Sequence, residues 1–180
     1  MVCARHICNL VLIGFMATGK STVGRLAARR LGFAFVDTDA LIESRLERSI
    51  SEVFAQKGEA WFRQYEKELV RELADYERTV IATGGGLGAN PDNLASLKHH
   101  ALVVCLWASP ETVWNRARRH GHRPLLQDPD PLGKIRRLLE ARQPVYRLAD
   151  ILIDAERRPL SRVAQQVVQQ YLLAAKTEAA

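Results

Sequence analysis

Gly14 and Gly19 bracket four residues, and Lys20 and Ser21 follow directly. The set comes after the apolar run 10–13 and opens a stretch rich in alanine, leucine and arginine, so it lies between a strand and a helix. In that setting the glycines let successive backbone N–H groups turn inward, and the helix N-terminus adds positive potential. The result is a phosphate cradle. Lys20 would reach the β- and γ-phosphates of a nucleotide and Ser21 would ligate Mg²⁺. The plainer alternative is a strand-turn-helix with an ordinary helical lysine.

Three further groups could do chemistry beside such a cradle. Asp37 and Asp39 stand at the end of the stretch 33–37, where a parallel sheet binds its ligands. In extended backbone, residues two apart point the same way, so both carboxylates could face one site. One could organise Mg²⁺ through water while the other accepts a hydroxyl proton; alternatively, Asp39 caps a helix beginning at Ala40. Gly84, Gly85 and Gly86 follow the apolar stretch 79–82. Such a run suits close approach of backbone to a ligand, or a simple turn. Arg63 and Arg142, taken singly, look like solvated helix residues, and His120 and His122 lack metal-ligand partners.

The elements that must position these groups are legible from pattern. Apolar strands are expected at 7–13, 33–37, 79–82, 101–107 and 150–153, separated by helical patterns. Helices are expected over 20–31, from about 40, from a capping box at Ser49 and Glu52 to Gly58, and then through Phe62, Leu69 and Leu73. Others start at Pro110 behind Ser109 and run near 133–148 and 159–175. Apolar strands alternating with helices imply an α/β fold, a parallel sheet with helices on both faces. The polar, Gly- and Pro-rich stretch 119–133 reads as a lid over the site.

A chain of 180 residues makes one domain, 1–180, with a substantial core. No apolar run approaches a membrane span, and the N-terminal run leads into Gly14 and Lys20 rather than a cleavage site, so a cytoplasmic protein is expected. Cys3, Cys8 and Cys105 show neither disulfide nor zinc spacing. The net charge of +6 comes from 20 arginines against 6 lysines, with eleven arginines between Arg116 and Arg162. Charge alone would allow nucleic acid, but arginine's planar fork equally suits a small anionic ligand. A guanine-reading N-K-x-D motif and transporter signatures are absent. A small phosphate-binding chain with a polar lid looks like a kinase of a small molecule.

The segments GFMATGKSTVGRLAARRLG, DTD, KGEAWFRQYE, TGGG, RPLL and ARQPVY, in this order across nearly the whole chain, resemble the shikimate kinases. The resemblance implies a three-layer P-loop kinase fold whose five parallel strands run in the order 2-3-1-4-5, with ATP-dependent phosphorylation of the shikimate 3-hydroxyl on the route to chorismate and the aromatic amino acids. It implies that ATP is held by Gly14, Ala17, Thr18, Gly19, Lys20, Ser21 and Thr22, with Arg116 packed on adenine and Arg158 nearby. Arg123 would come from the lid to the transferring phosphate. Asp39 would bind the shikimate hydroxyls and assist removal of the proton, with Lys20 and Arg123 as its catalytic partners. Arg63 and Arg142 would hold the substrate carboxylate, Gly85 would contact substrate through its backbone, Ser21 would ligate Mg²⁺ and Asp37 would act on it through water. The family often has glycine or a pair of small residues where this chain reads Met16-Ala17-Thr18, and Ala17 is expected to fit only at negative φ. A monomer that binds neither nucleic acid nor membrane is expected. The rivals are a gluconate or nucleoside monophosphate kinase, a non-catalytic nucleotide binder, and a basic nucleic-acid binder. Against the last stands an aromatic content of 7% with no groove-reading motif.

Overall fold

The computed structural model describes residues 5–119 and 128–178. Five strands, β1 (Asn9–Ile13), β2 (Ala34–Asp37), β3 (Thr79–Ala82), β4 (Ala101–Trp107) and β5 (Ile151–Asp154), form one parallel sheet in the order β2-β3-β1-β4-β5. Seven α-helices cover it among the described residues: α1 (Lys20–Leu31), α2 (Thr38–Leu46), α3 (Ile50–Glu72), α4 (Pro91–Lys98), α5 (Pro110–Ala117), α6 (Pro131–Tyr146) and α7 (Leu160–Glu178). None is long and apolar enough to cross a membrane.

Strand periodicity divides the core into two layers. Val11 and Ile13 of β1, with Ile81, Val103 and Cys105, face α3, α4, α5 and α6. Leu10 and Leu12, with Val80, Val104 and Ile153, face α1 and α7. Because β1 is central, both its faces are covered and every residue of it is buried. Its first residue, Asn9, accepts from the Thr79 amide at 3.0 Å and donates to the Tyr76 carbonyl and to His100 Nδ1. One buried amide thus ties the N-terminal ends of the three central strands.

Several elements differ from their sequence expectation, each for a local reason. The helix after β2 begins at Thr38 rather than Ala40, because Asp37 is its cap. Helix α4 was not foreseen; it starts at Pro91 behind Asn90, whose side chain accepts from the amides of Asp92 and Asn93. Gly58 breaks the helical geometry as expected, at φ 80 and ψ 167, yet α3 resumes at once, so the two pieces form one bent rod. Helix α6 starts at Pro131 with Asp130 as cap, which takes 131–133 out of the expected lid. Asp150 lies just before β5, where its carboxylate caps the Val103 amide of the neighbouring strand at 2.8 Å.

Candidate active site

The loop between β1 and α1 has the backbone of a phosphate cradle. Gly14 has φ 134, and a side chain there would run into the Leu106 carbonyl of β4. Gly19 has φ 98 and occupies the N-cap of α1, where it offers no side-chain acceptor to the first amides of the helix. Those amides and the helix dipole are therefore directed at whatever anion enters the loop. Lys20 is 8% exposed, and its ammonium lies over the loop and donates to the carbonyls of Gly14 at 2.9 Å and Phe15 at 2.8 Å. Thr18 is buried with its hydroxyl donating to Phe15 O at 2.9 Å, so its side chain braces the loop. Ala17 has φ 59, contrary to the expected negative value: the loop closes in a left-handed turn, and the alanine is held there despite its Cβ.

The two aspartates meet the site in different ways. Asp37 Oδ2 accepts the Ser21 hydroxyl at 2.6 Å, while Oδ1 accepts the amides of Asp39 and Ala40. Asp37 is therefore the helix cap, a role the sequence reading had offered to Asp39. Asp39 sits in the first turn of α2 rather than in extended backbone, and both carboxylates line the same cavity. Between them, buried Thr38 accepts the Gly84 amide at 2.8 Å and ties this corner to the glycine run. Ser21 and Asp37 are hard oxygen donors side by side, and they suit Mg²⁺, which takes one or two protein oxygens and otherwise water and phosphate. No cluster of three or more His, Cys, Asp or Glu side chains placed for a metal occurs among the described residues.

The glycine run is explained by what crowds it. A methyl group on Gly84 would overlap the Asp39 carboxylate, and one on Gly86 would overlap the Arg63 guanidinium. None of the three has positive φ, so closeness rather than backbone freedom is what glycine supplies here. The Gly85 carbonyl accepts from Arg142 Nη1 and from the Tyr146 hydroxyl, both at 3.3 Å. Arg63 from α3 lies against Gly86 and Arg142 from α6 against Gly85, so the two arginines converge on adjacent residues of one tripeptide.

Glu66, absent from the sequence-derived site, holds Arg63 in place through a 2.7 Å ion pair and is 2% exposed. Burial pushes its carboxyl up against the lowering effect of Arg63, and the Asp39 charge adds to the rise. Glu59 grips the other side of the same guanidinium at 2.9 Å. Burial of Tyr146 raises its phenol to about 12. The signal for Glu66 was its position three residues after Arg63, one helical turn away.

A cavity of about 490 Å³ is lined by the loop residues Ala17, Gly19, Lys20, Ser21 and Thr22, by both aspartates, and by Gly85, Arg116 and Leu160, while Arg63 and Arg142 stand behind the glycine run and are not among the lining residues. Arg116 spans its far side, donating to Ala155 O at 2.7 Å and to Ala17 O at 3.5 Å. Arg158 is exposed, is bonded to Gln166 of α7 at 3.0 Å, and is not among the lining residues. Arg123, His120, His122 and most of the expected lid lie outside the described residues.

Comparison with known proteins follows the same lines. The family model for shikimate kinase matches residues 16–172. A shikimate kinase of Thermoanaerobacter pseudethanolicus is 42% identical over 91% of this chain and 96% of its own length. One from Synechococcus sp. (strain JA-3-3Ab) is 47% identical over 89% of this chain and 86% of its own. Among solved structures, a shikimate kinase from Acinetobacter baumannii in complex with shikimate aligns with a TM-score of 0.86 at 36% identity, covering 94% of this chain and 95% of that one. A gluconokinase from Sinorhizobium meliloti, at TM-score 0.63 and 19% identity, shares the fold alone. With a phosphate loop and paired aspartates in one cavity, two arginines on the adjoining glycine run, and matches of this extent, the chain belongs to the shikimate kinase family.

Proposed function

We infer that this chain transfers the γ-phosphoryl group of ATP to the 3-hydroxyl of shikimate, giving shikimate 3-phosphate and ADP. The observation that carries the reading is one cavity lined by a phosphate loop, a carboxylate beside it and Gly85, with two arginines packed behind that residue and its neighbour Gly86. The family match and the shikimate-bound Acinetobacter relative support the choice of acceptor.

Asp39 accepts the hydroxyl proton as the new O–P bond forms and the bond to the β-phosphate oxygen breaks. Lys20 and the amides opening α1 face the developing charge on the phosphate oxygens. Ser21 would ligate Mg²⁺ and Asp37 would orient its water; when bound, the ion neutralises charge on the β- and γ-oxygens. Arg63 and Arg142 hold the substrate carboxylate, Gly85 approaches the substrate ring, and Arg116 lies under adenine. Roles for Arg123 at the transferring phosphate and for Arg158 near the nucleotide rest on the family resemblance. We further place the enzyme in the cytoplasm as a monomer that binds neither nucleic acid nor membrane.

The test is ADP release measured with shikimate, gluconate and AMP side by side; turnover is expected with shikimate alone. Removing one partner of a shielded arginine–carboxylate pair costs roughly 2–5 kcal/mol. Arg63→Ala and Arg142→Ala should therefore each raise KM for shikimate about tenfold or more, with KM for ATP nearly unchanged. The methyl ester of shikimate should be a poor substrate, and equal turnover of ester and acid would point to a neutral acceptor.

A further inference from the structure

A guanidinium that reads a carboxylate must hold its plane, because two parallel N–H groups have to meet two oxygens. Among the described residues, hydrogen bonding holds Arg142 along one edge, through Nη1 to the Gly85 carbonyl at 3.3 Å and beside the Tyr146 hydroxyl that shares that acceptor. Its face is fixed by something else: the guanidinium carbon lies 5.3 Å from the centroid of the Phe15 ring. Phe15 is 1% exposed and packs in the layer that contains Tyr146 and Leu139 of α6, so the ring cannot swing away. Arg63 has a comparable support, at 5.8 Å from Phe54 and from Phe62, but those rings belong to its own helix. Phe15 belongs to the phosphate loop, and its carbonyl receives Lys20 at 2.8 Å and Thr18 at 2.9 Å.

We propose that Phe15 is a positioning residue of the acceptor site, its ring orienting the Arg142 guanidinium toward the carboxylate of shikimate. The inference rests on the functional reading above. The π face attracts the cation while a hydrophobic seat of the same size would not, so the residue does more than fill the core. It also makes one residue of the loop serve both substrates: the backbone carries the phosphate-binding lysine, and the side chain carries the carboxylate-reading arginine.

Phe15→Leu should raise KM for shikimate about fivefold, the order of one desolvated cation–π contact, with KM for ATP within about twofold of the unmodified value. For the methyl ester, kcat/KM should be unchanged by the same substitution, since no carboxylate is there to be read. In the Arg142→Met background, Phe15→Leu should have no further effect on KM for shikimate. Stepwise fluorination of the ring at position 15, which weakens the π face at nearly constant shape, should raise KM for shikimate in steps and so covers the case in which Phe15→Leu folds poorly. A flat KM across the fluorinated series, equal losses for acid and ester, or additivity with Arg142→Met would overturn the role of Phe15. Failure of the unmodified enzyme to release ADP with shikimate would instead sink the functional reading.

Discussion

Gly84 and Gly86 owe their identity to the side chains pressed against them, and that gives each a separable phenotype. At Gly84 a methyl group would displace the Asp39 carboxylate; at Gly86 it would displace the Arg63 guanidinium. Misplacing a reacting group by about an ångström can cost on the order of 10²-fold in rate. Gly84→Ala is therefore expected to lower kcat by about that factor, and Gly86→Ala to act chiefly on KM for shikimate, both read from steady-state kinetics. The two aspartates separate in the same manner. Asp39→Asn should lower kcat by roughly 10²- to 10⁴-fold at near-native thermal stability, since Asp39 does not cap α2. Asp37→Ala removes the cap as well as the partner of Ser21, and should cost about 1 kcal/mol of stability in denaturant titration.

The strand-loop-helix unit from β1 to α1 is built around backbone angles that most residues avoid. Gly14 and Gly19 meet that demand without strain, whereas Ala17 holds φ 59 with a Cβ. The left-handed region costs a non-glycine residue roughly 1–2 kcal/mol. Part of that is offset by the smaller entropy an alanine loses on folding. Ala17→Gly should thus stabilise the protein by about 1 kcal/mol, raising Tm by some 2–4 °C in a chain of this size. An unchanged or lower Tm would show that the surrounding loop absorbs the strain. Helix α3 answers a different demand: its bend at Gly58 lets one element begin on the capping box at Ser49 and still deliver Arg63 and Glu66 to the sheet edge.

Across the whole molecule, the sheet edge opposite the catalytic one is held by charge. Asp150 takes Arg5 at 2.6 Å, Lys98 at 3.1 Å and the Val103 amide at 2.8 Å, so one carboxylate joins the N-terminal segment, α4 and β4. Burial works to raise its carboxyl, but the bonds from Arg5, Val103 and Lys98 prevail and hold it below the ordinary 3.8. A depressed folded-state value means that the contribution is complete above the ordinary value and disappears as pH falls through the depressed one. The stability difference between the unmodified protein and Asp150→Asn, measured by urea unfolding, should therefore be constant above about pH 5 and shrink on acidification below about pH 4. A difference that stayed constant into acid would mean that the network is maintained by packing rather than by charge.

Local chemistry alone determined much of this protein. Spacing of Gly14, Gly19, Lys20 and Ser21 between a strand and a helix pointed to a phosphate cradle, because each residue type answers a local demand for an angle, a charge or a hydroxyl, and the strand, turn and helix stand where that spacing put them. The alternation of apolar strands with helices led to the parallel sheet and its layers in the same way, with α4 missed because its signals are a single Asn-Pro start and one pair of leucines three residues apart. What the sequence left open were the pairings across long separations. The TGGG run read equally as a turn; only the packed structure shows Asp39 from α2 and Arg63 from α3 lying against it. Arg142 looked like a surface residue until α6 set it on Gly85 and Phe15, more than fifty residues away in either case. The choice of Asp37 rather than Asp39 as cap turned on whether α2 began at Thr38 or Ala40, a difference of half a helical turn that propensity does not resolve. A residue's type states what it can do; which partner lies within 3 Å is decided when sheet order and helix packing bring distant segments together.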